Sequence, residues 1–212
     1  MGLHLSNDQL RIAVGLRLGS SVCQPHTCRC GALADGVGNH ALVCRRSQGR
    51  HIRHKLLNST VSRALQAAHI PTSLEPTGLS RNDGKRPDGL SMIPWARGKC
   101  LIWDATCVHR SAESYNNISH LEGSSVAAAA EAKKTTKYER LMTDWVFQPV
   151  AVETLGGFGP STLTFLRKLG SMLSEASGDA REGRFLRQRL AMQVQIGNAA
   201  CVRETLSRQE EF

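Results

Sequence analysis

Apolar residues recur at helical spacing near the start of the chain. Leu10, Ala13, Val14 and Leu16 form a stripe behind the capping oxygens of Ser6, Asn7 and Asp8, and Gly19 ends it. Residues 20–50 carry no such period and are rich in Cys, Gly, His and Arg. From about His51 to Ala68 the helical spacing returns in Ile52, Leu56, Leu57, Val61, Leu65 and Ala68, with Arg53, Lys55 and Arg63 outside the stripe; Ile70-Pro71 stops it. Three strand-like runs follow, Ile70–Glu75, Pro87–Ile93 and Lys99–Val108, separated by Gly78, the turn-like Asn82-Asp83-Gly84 and the reversal Pro94–Gly98. A polar loop (Ser111–Ser125) leads into one helix over Val126–Trp145 and a strand over Val146–Glu153. Pro160 opens a helix with Leu163, Leu166 and Leu169 on its apolar side and Gly170 at its end. A last amphipathic helix, from about Asp179 to Gln195, carries Phe185, Leu186, Leu190 and Val194.

From residue 51 the order is helix, three strands, helix, strand, helix. Strands bracketed by helices predict an α/β fold with a mixed sheet flanked by helices. The chain divides into an N-terminal helix with a Cys/His segment (1–50), a core (51–175), and a C-terminal amphipathic helix and tail (176–212).

Composition changes this picture in two ways. The 27 Lys and Arg against 18 Asp and Glu give a formal net charge of +9. Residues 1–70 hold nine Lys/Arg against only Asp8 and Asp35, so the excess sits at the front and predicts contact with a polyanion. No apolar run is long enough to span a membrane, and the N-terminus lacks the features of a secretory signal, so an intracellular place, nuclear or cytoplasmic, is expected. With no secretion signal, the clustering of four of the seven cysteines between Cys23 and Cys44 points to metal binding rather than disulfides. Cys28, Cys30, His40 and Cys44 supply the four ligands a tetrahedral zinc site uses, and Gly31, Gly36 and Gly38 let the loop bend round it. Cys23 or His26 could stand in for one of them. Arg45, Arg46, Arg50, Arg53, His54 and Lys55 follow directly and offer a phosphate-contacting run.

Two acids stand out further along. Asp88 precedes Gly89 and lies sixteen residues before Asp104, which sits between Leu101-Ile102-Trp103 and Ala105. An acid inside so apolar a strand needs a charged partner or a metal. Adjacent strands would bring both carboxylates to one sheet edge, and a hard divalent cation takes one or two carboxylates with water and phosphate in its remaining positions. A turn role for Asp88 and an arginine partner for Asp104 are the structural alternatives; Glu75 is a weaker third carboxylate.

Arg86-Pro87-Asp88, Trp103-Asp104-Ala105-Thr106 and Glu131-Ala132-Lys133-Lys134-Thr135-Thr136-Lys137-Tyr138 resemble the PD-(D/E)XK nuclease superfamily. More narrowly, they resemble the restriction-like endonuclease at the C-terminus of site-specific non-LTR retrotransposon polyproteins. The resemblance spans roughly residues 25–170. It implies a restriction-endonuclease-like αβββαβ core with a preceding Cys-Cys-His-Cys zinc knuckle, Asp88 and Asp104 as Mg²⁺ (or Mn²⁺) ligands, and double-stranded DNA as substrate, with RNA as a further polyanion. The sequence departs from the common pattern at Thr106, where a lysine is usual. In the retrotransposon branch the basic residue comes from the following helix, which matches Lys134, Lys137 and Tyr138. Glu131, Lys134 and Tyr138 are three and four residues apart and share a helix face. The implied activity is metal-assisted nicking of DNA. A module that binds nucleic acid without cutting it, or a zinc-held protein-interaction domain, would use many of the same residues.

Overall fold

In a computed structural model of the chain, which describes residues 4–79, 86–115, 117 and 124–206, the fold is organised around one strand, Lys99–Val108. The Asn82-Asp83-Gly84 turn expected from the sequence lies outside the described residues. In chain order the elements are α1 (Asn7–Leu18), β1 (His26–Thr27), β2 (Leu33–Ala34), α2 (Asn39–Val43), α3 (Gly49–Ala67), β3 (Thr72–Leu74), β4 (Gly89–Ala96), β5 (Lys99–Val108), α4 (Ser125–Tyr138), β6 (Val146–Glu153), α5 (Pro160–Ser177) and α6 (Glu182–Arg203). The main sheet runs β3-β4-β5-β6 and is mixed: β3, β4 and β5 are antiparallel neighbours, and β6 lies parallel to β5. Helix α4 lies in the crossover that a parallel pair requires.

Strand β5 is covered on both faces, which explains its nearly unbroken apolar run. Leu101, Trp103 and Ala105 pack with Val150 and Val152 of β6 against α3, α5 and α6. On the other face Ile102 meets Tyr138 and Phe147, while Val108 meets Val126, Ala127 and Ala130 of α4. Successive side chains alternate, so Asp104 is turned to the α4 side with Ile102. The expected α/β class, mixed sheet and flanking helices are all present.

Several boundaries differ from the sequence reading. The helix expected over Val126–Trp145 ends at Tyr138, and Glu139–Thr143 tighten into a 3-10 turn before β6. Gly170 does not end α5. It packs inside the helix against Gly183 of α6, and the helix stops eight residues later at Gly178, whose φ is 75°. Residues 20–50 contain a two-stranded ribbon, β1–β2, and the short α2, elements too brief for periodicity to reveal. The expected division at residue 175 falls inside α5, and α6 packs against both the main core and the N-terminal segment. Its Leu186, Leu190 and Val194 belong to the main core, whereas Ala199, Cys201 and Val202 pack with Ile12, Leu16, Ala41 and Leu42. The N-terminal segment and the sheet are therefore tied through one helix.

Two features are directly testable. Gly89 lies against the Trp103 ring, so closely that a methyl group would overlap it. Gly89→Ala is expected to lower stability by about 1–3 kcal/mol in denaturant unfolding, as overpacking does; an unchanged midpoint would contradict this packing. Buried His109, whose Nδ1 is 2.6 Å from Thr154 Oγ1, has its pKa pushed down to about 4 by burial and then by Arg53. Between about pH 6.5 and 4 the unfolded chain binds a proton that the folded chain refuses. Stability held above pH 6.5 is therefore lost as pH falls towards 4. The His109→Asn variant is expected to show a flatter unfolding profile over that interval.

Candidate active site and metal cluster

The α4-facing side of β5 gathers the charged residues. Asp104 is buried, with only 4% of its side chain exposed. Lys134 Nζ pairs with its Oδ1, and Lys137 Nζ lies 3.1 Å from its Oδ2. These lysines are three residues apart on α4, one turn, so both reach the same carboxylate. Lys137 also donates to the Tyr138 hydroxyl at 2.7 Å, and that hydroxyl donates to the Arg86 carbonyl at 2.8 Å. Burial pushes the Asp104 carboxyl up. Lys134, Tyr138 and Lys137 outweigh it and hold the group below its ordinary value.

Asp88 approaches from the residue just before β4, the strand next door. Its backbone N–H donates to the Trp103 carbonyl at 2.8 Å, and its Oδ2 accepts from the Ala105 N–H at 2.6 Å. The same oxygen lies 3.0 Å from His54 Nε2, and this hydrogen bond raises the His54 pKa against the opposing effect of burial. Asn58, one turn further along α3, lies 3.4 Å from the His54 ring and accepts from the Trp103 indole N–H at 3.1 Å. Ligand atoms of His54, Asp88 and Asp104 all fall within 4.8 Å of one another. Two carboxylate oxygens and one imidazole nitrogen at that spacing could hold a metal ion.

Of the expected site residues, Asp88, Asp104, Lys134, Lys137 and Tyr138 come together. Glu131 does not join them, although it shares a helix with the lysines. Its buried carboxylate accepts from the backbone N–H groups of Ser161 at 3.0 Å and Thr162 at 2.7 Å, and from the Thr162 hydroxyl at 2.6 Å. It caps the start of α5, where unpaired amides favour an anion. Glu75 pairs with Arg86 and its side chain is 71% exposed; it is not among the three residues whose ligand atoms gather here.

The basic run divides in the same way. Arg45, Arg46, Arg50 and Lys55 are exposed. Arg53 is not a surface residue: it is 2% exposed, donates to Asn198 Oδ1 at 2.8 Å and to the Leu42 carbonyl at 3.3 Å, and holds α3 to α6 and α2. His54 is half-buried and bonds Asp88. A cleft of about 380 Å³ beside it is lined by Arg45, Arg50, His51, His54 and Thr106. Sequence reasoning missed His54 and Asn58 as partners of this site, although their spacing of four on α3 was visible.

The N-terminal cluster is a second potential metal site. Cys28, Cys30, His40 and Cys44 place their ligand atoms within 4.8 Å of one another and could hold a metal such as zinc. Cys28 Sγ lies 3.8 Å from Cys44 Sγ, and Cys30 Sγ lies 3.4 Å from His40 Nε2. Zinc bonds of about 2.3 Å to sulfur and 2.0 Å to nitrogen give tetrahedral edges of about 3.8 and 3.5 Å. The donor set therefore fits. Burial pushes the Cys28 thiol up to about 11, whereas the Ala32 backbone contact lowers Cys30. Asp35 accepts from the backbone N–H groups of Asn39 and His40 at 3.0 and 2.8 Å, fixing the turn that presents His40.

No protein-family model matches the chain, and a comparison with curated proteins finds no match.

One zinc equivalent added to metal-free protein is expected to raise its melting temperature, because binding energy at such a site is folding energy. Cys44→Ser should abolish that rise. A zinc-independent melting curve for the wild type would contradict the assignment of these four ligands.

Proposed function

We propose that the chain is a divalent-metal-dependent DNA endonuclease of the PD-(D/E)XK type, resembling the nuclease of non-LTR retrotransposons. The observation that carries this reading is the convergence of Asp88 and Asp104, from neighbouring strands, with Lys134 from the following helix. Its support also includes the order helix, three strands, helix, strand over α3 to β6, and the basic cleft beside His54.

In this reading Asp88, Asp104 and, through nitrogen, His54 would hold Mg²⁺ or Mn²⁺, which when bound would polarise a phosphoryl oxygen and lower the pKa of a coordinated water. The protein supplies the rest. Ala105 N–H and Asn58 fix Asp88 and His54, while β5 fixes Asp104. Lys134 is placed to neutralise charge developing on the phosphoryl oxygens, and Lys137 with Tyr138 keeps the neighbouring carboxylate oxygen oriented. Water oxygen bonds to phosphorus as one P–O ester bond breaks; one of the water's protons ends on the departing oxygen as a hydroxyl, and the other passes from the new phosphate to solvent. Arg45 and Arg50 contact flanking phosphates without reading sequence. Cys28, Cys30, His40 and Cys44 would hold zinc, which when bound would stiffen the chain leading into α3.

Supercoiled plasmid with Mg²⁺ or Mn²⁺ is the direct assay. The wild type is expected to produce nicked circles. Asp88→Ala should lose on the order of 10³-fold in rate, and Lys134→Ala about 10²-fold or more, exceeding the loss from Lys137→Ala. Nicking that survives Asp88→Ala overturns the reading. If no nicking occurs but salt-sensitive duplex binding persists, the chain is a binding module that uses the same basic surface.

A further inference from the structure

A second cationic feature lies between α5 and α6 and shares no lining residue with the cleft beside His54. Helices α5 and α6 cross at Gly170 and Gly183, where a Cβ on Gly170 would sit 2.6 Å from the Gly183 Cα. Only a crossing without side chains permits that approach. The open groove beside it, about 640 Å³, is lined by Arg167 of α5 and by Arg184 and Arg187 of α6. Arg184 and Arg187 are three residues apart and therefore neighbours on one face of α6.

All three arginines are exposed, and among the described residues none has a carboxylate within ion-pairing distance. Nearby ion pairs are formed by other arginines: Arg181 binds Asp179, and Arg189 binds Glu182. Among the described residues Glu175 is the single carboxylate in the groove lining, against four arginines there. Holding like charges together without partners is unfavourable, and a polyanion relieves it. Guanidinium groups present planar paired donors that match phosphate oxygens.

We propose that this α5–α6 groove is a second nucleic-acid contact, gripping the phosphate backbone through Arg167, Arg184 and Arg187. The contact is read from charge and groove shape and does not depend on the nuclease reading. It adds affinity that is strong, salt-sensitive and indifferent to sequence.

The test is fluorescence anisotropy of a labelled 20-base-pair DNA duplex in EDTA, read as log K against log salt. Replacing all three arginines by glutamine is expected to shrink the slope by about 2–3, since each phosphate contact contributes roughly 0.9. Replacing them by lysine, which keeps the charge, should retain most of the slope. Matching melting temperatures would confirm that both variants fold. Because the slope is read in EDTA, a chain that never nicks DNA can still pass this test. An unaltered slope in the glutamine variant overturns the proposal, as does a wild type whose binding ignores salt. Displacement of the duplex by polyglutamate at equal charge would assign the groove to acidic protein segments instead and would equally overturn it.

Discussion

Asp104 is a carboxylate in the middle of an apolar strand, covered on both faces of the sheet. An isolated ionised group in that place would be prohibitively costly, so the fold has to bring compensating charge to it. That requirement accounts for several features together. Strand β5 turns Asp104 towards α4; α4 lies in the parallel crossover and spaces Lys134 and Lys137 one turn apart; Tyr138 then links Lys137 to the Arg86 carbonyl. Asp88 reaches the same region because β4 pairs with β5 and because Gly89 leaves room for Trp103.

A buried acid paired with two lysines has a purely structural interpretation, and three details argue for chemistry. The second carboxylate adds negative charge where packing alone would exclude it. His54 brings a nitrogen donor to Asp88, completing three potential ligands on neighbouring elements. The cleft beside them is basic and open, as a phosphate-bearing substrate requires. A simple ion-pair network would need neither the third donor nor the cleft.

Much of this arrangement was legible from the chain itself. The apolar strand-like runs between turn residues and the helical spacing along α3, α5 and α6 predicted the main elements from residue 51 onward and their order. The Asp88–Asp104 pair stood out because acids are rare in such surroundings. Boundaries were less legible: Gly170 reads as a helix end, and only the position of Gly183 across the groove turns it into a packing residue. Arg53 and Glu131 were misread for the same reason. Each belongs to a charged run on one helix, but Asn198 and the amides of α5 claim them from distant parts of the chain. Long-range partners leave no periodic trace. His54 was visible as a basic-run residue, yet its orientation towards Asp88 depends on how α3 packs over the sheet.

The account stands or falls on whether Asp88 and Asp104 act together on one cation. Titration of the zinc-loaded protein with Mn²⁺, followed by electron paramagnetic resonance of the free ion, addresses this without relying on turnover. The account predicts one Mn²⁺ bound per chain, competed by Mg²⁺, and lost in both Asp88→Asn and Asp104→Asn. Mn²⁺ binding that is absent from the wild type, or undiminished by either substitution, would contradict it.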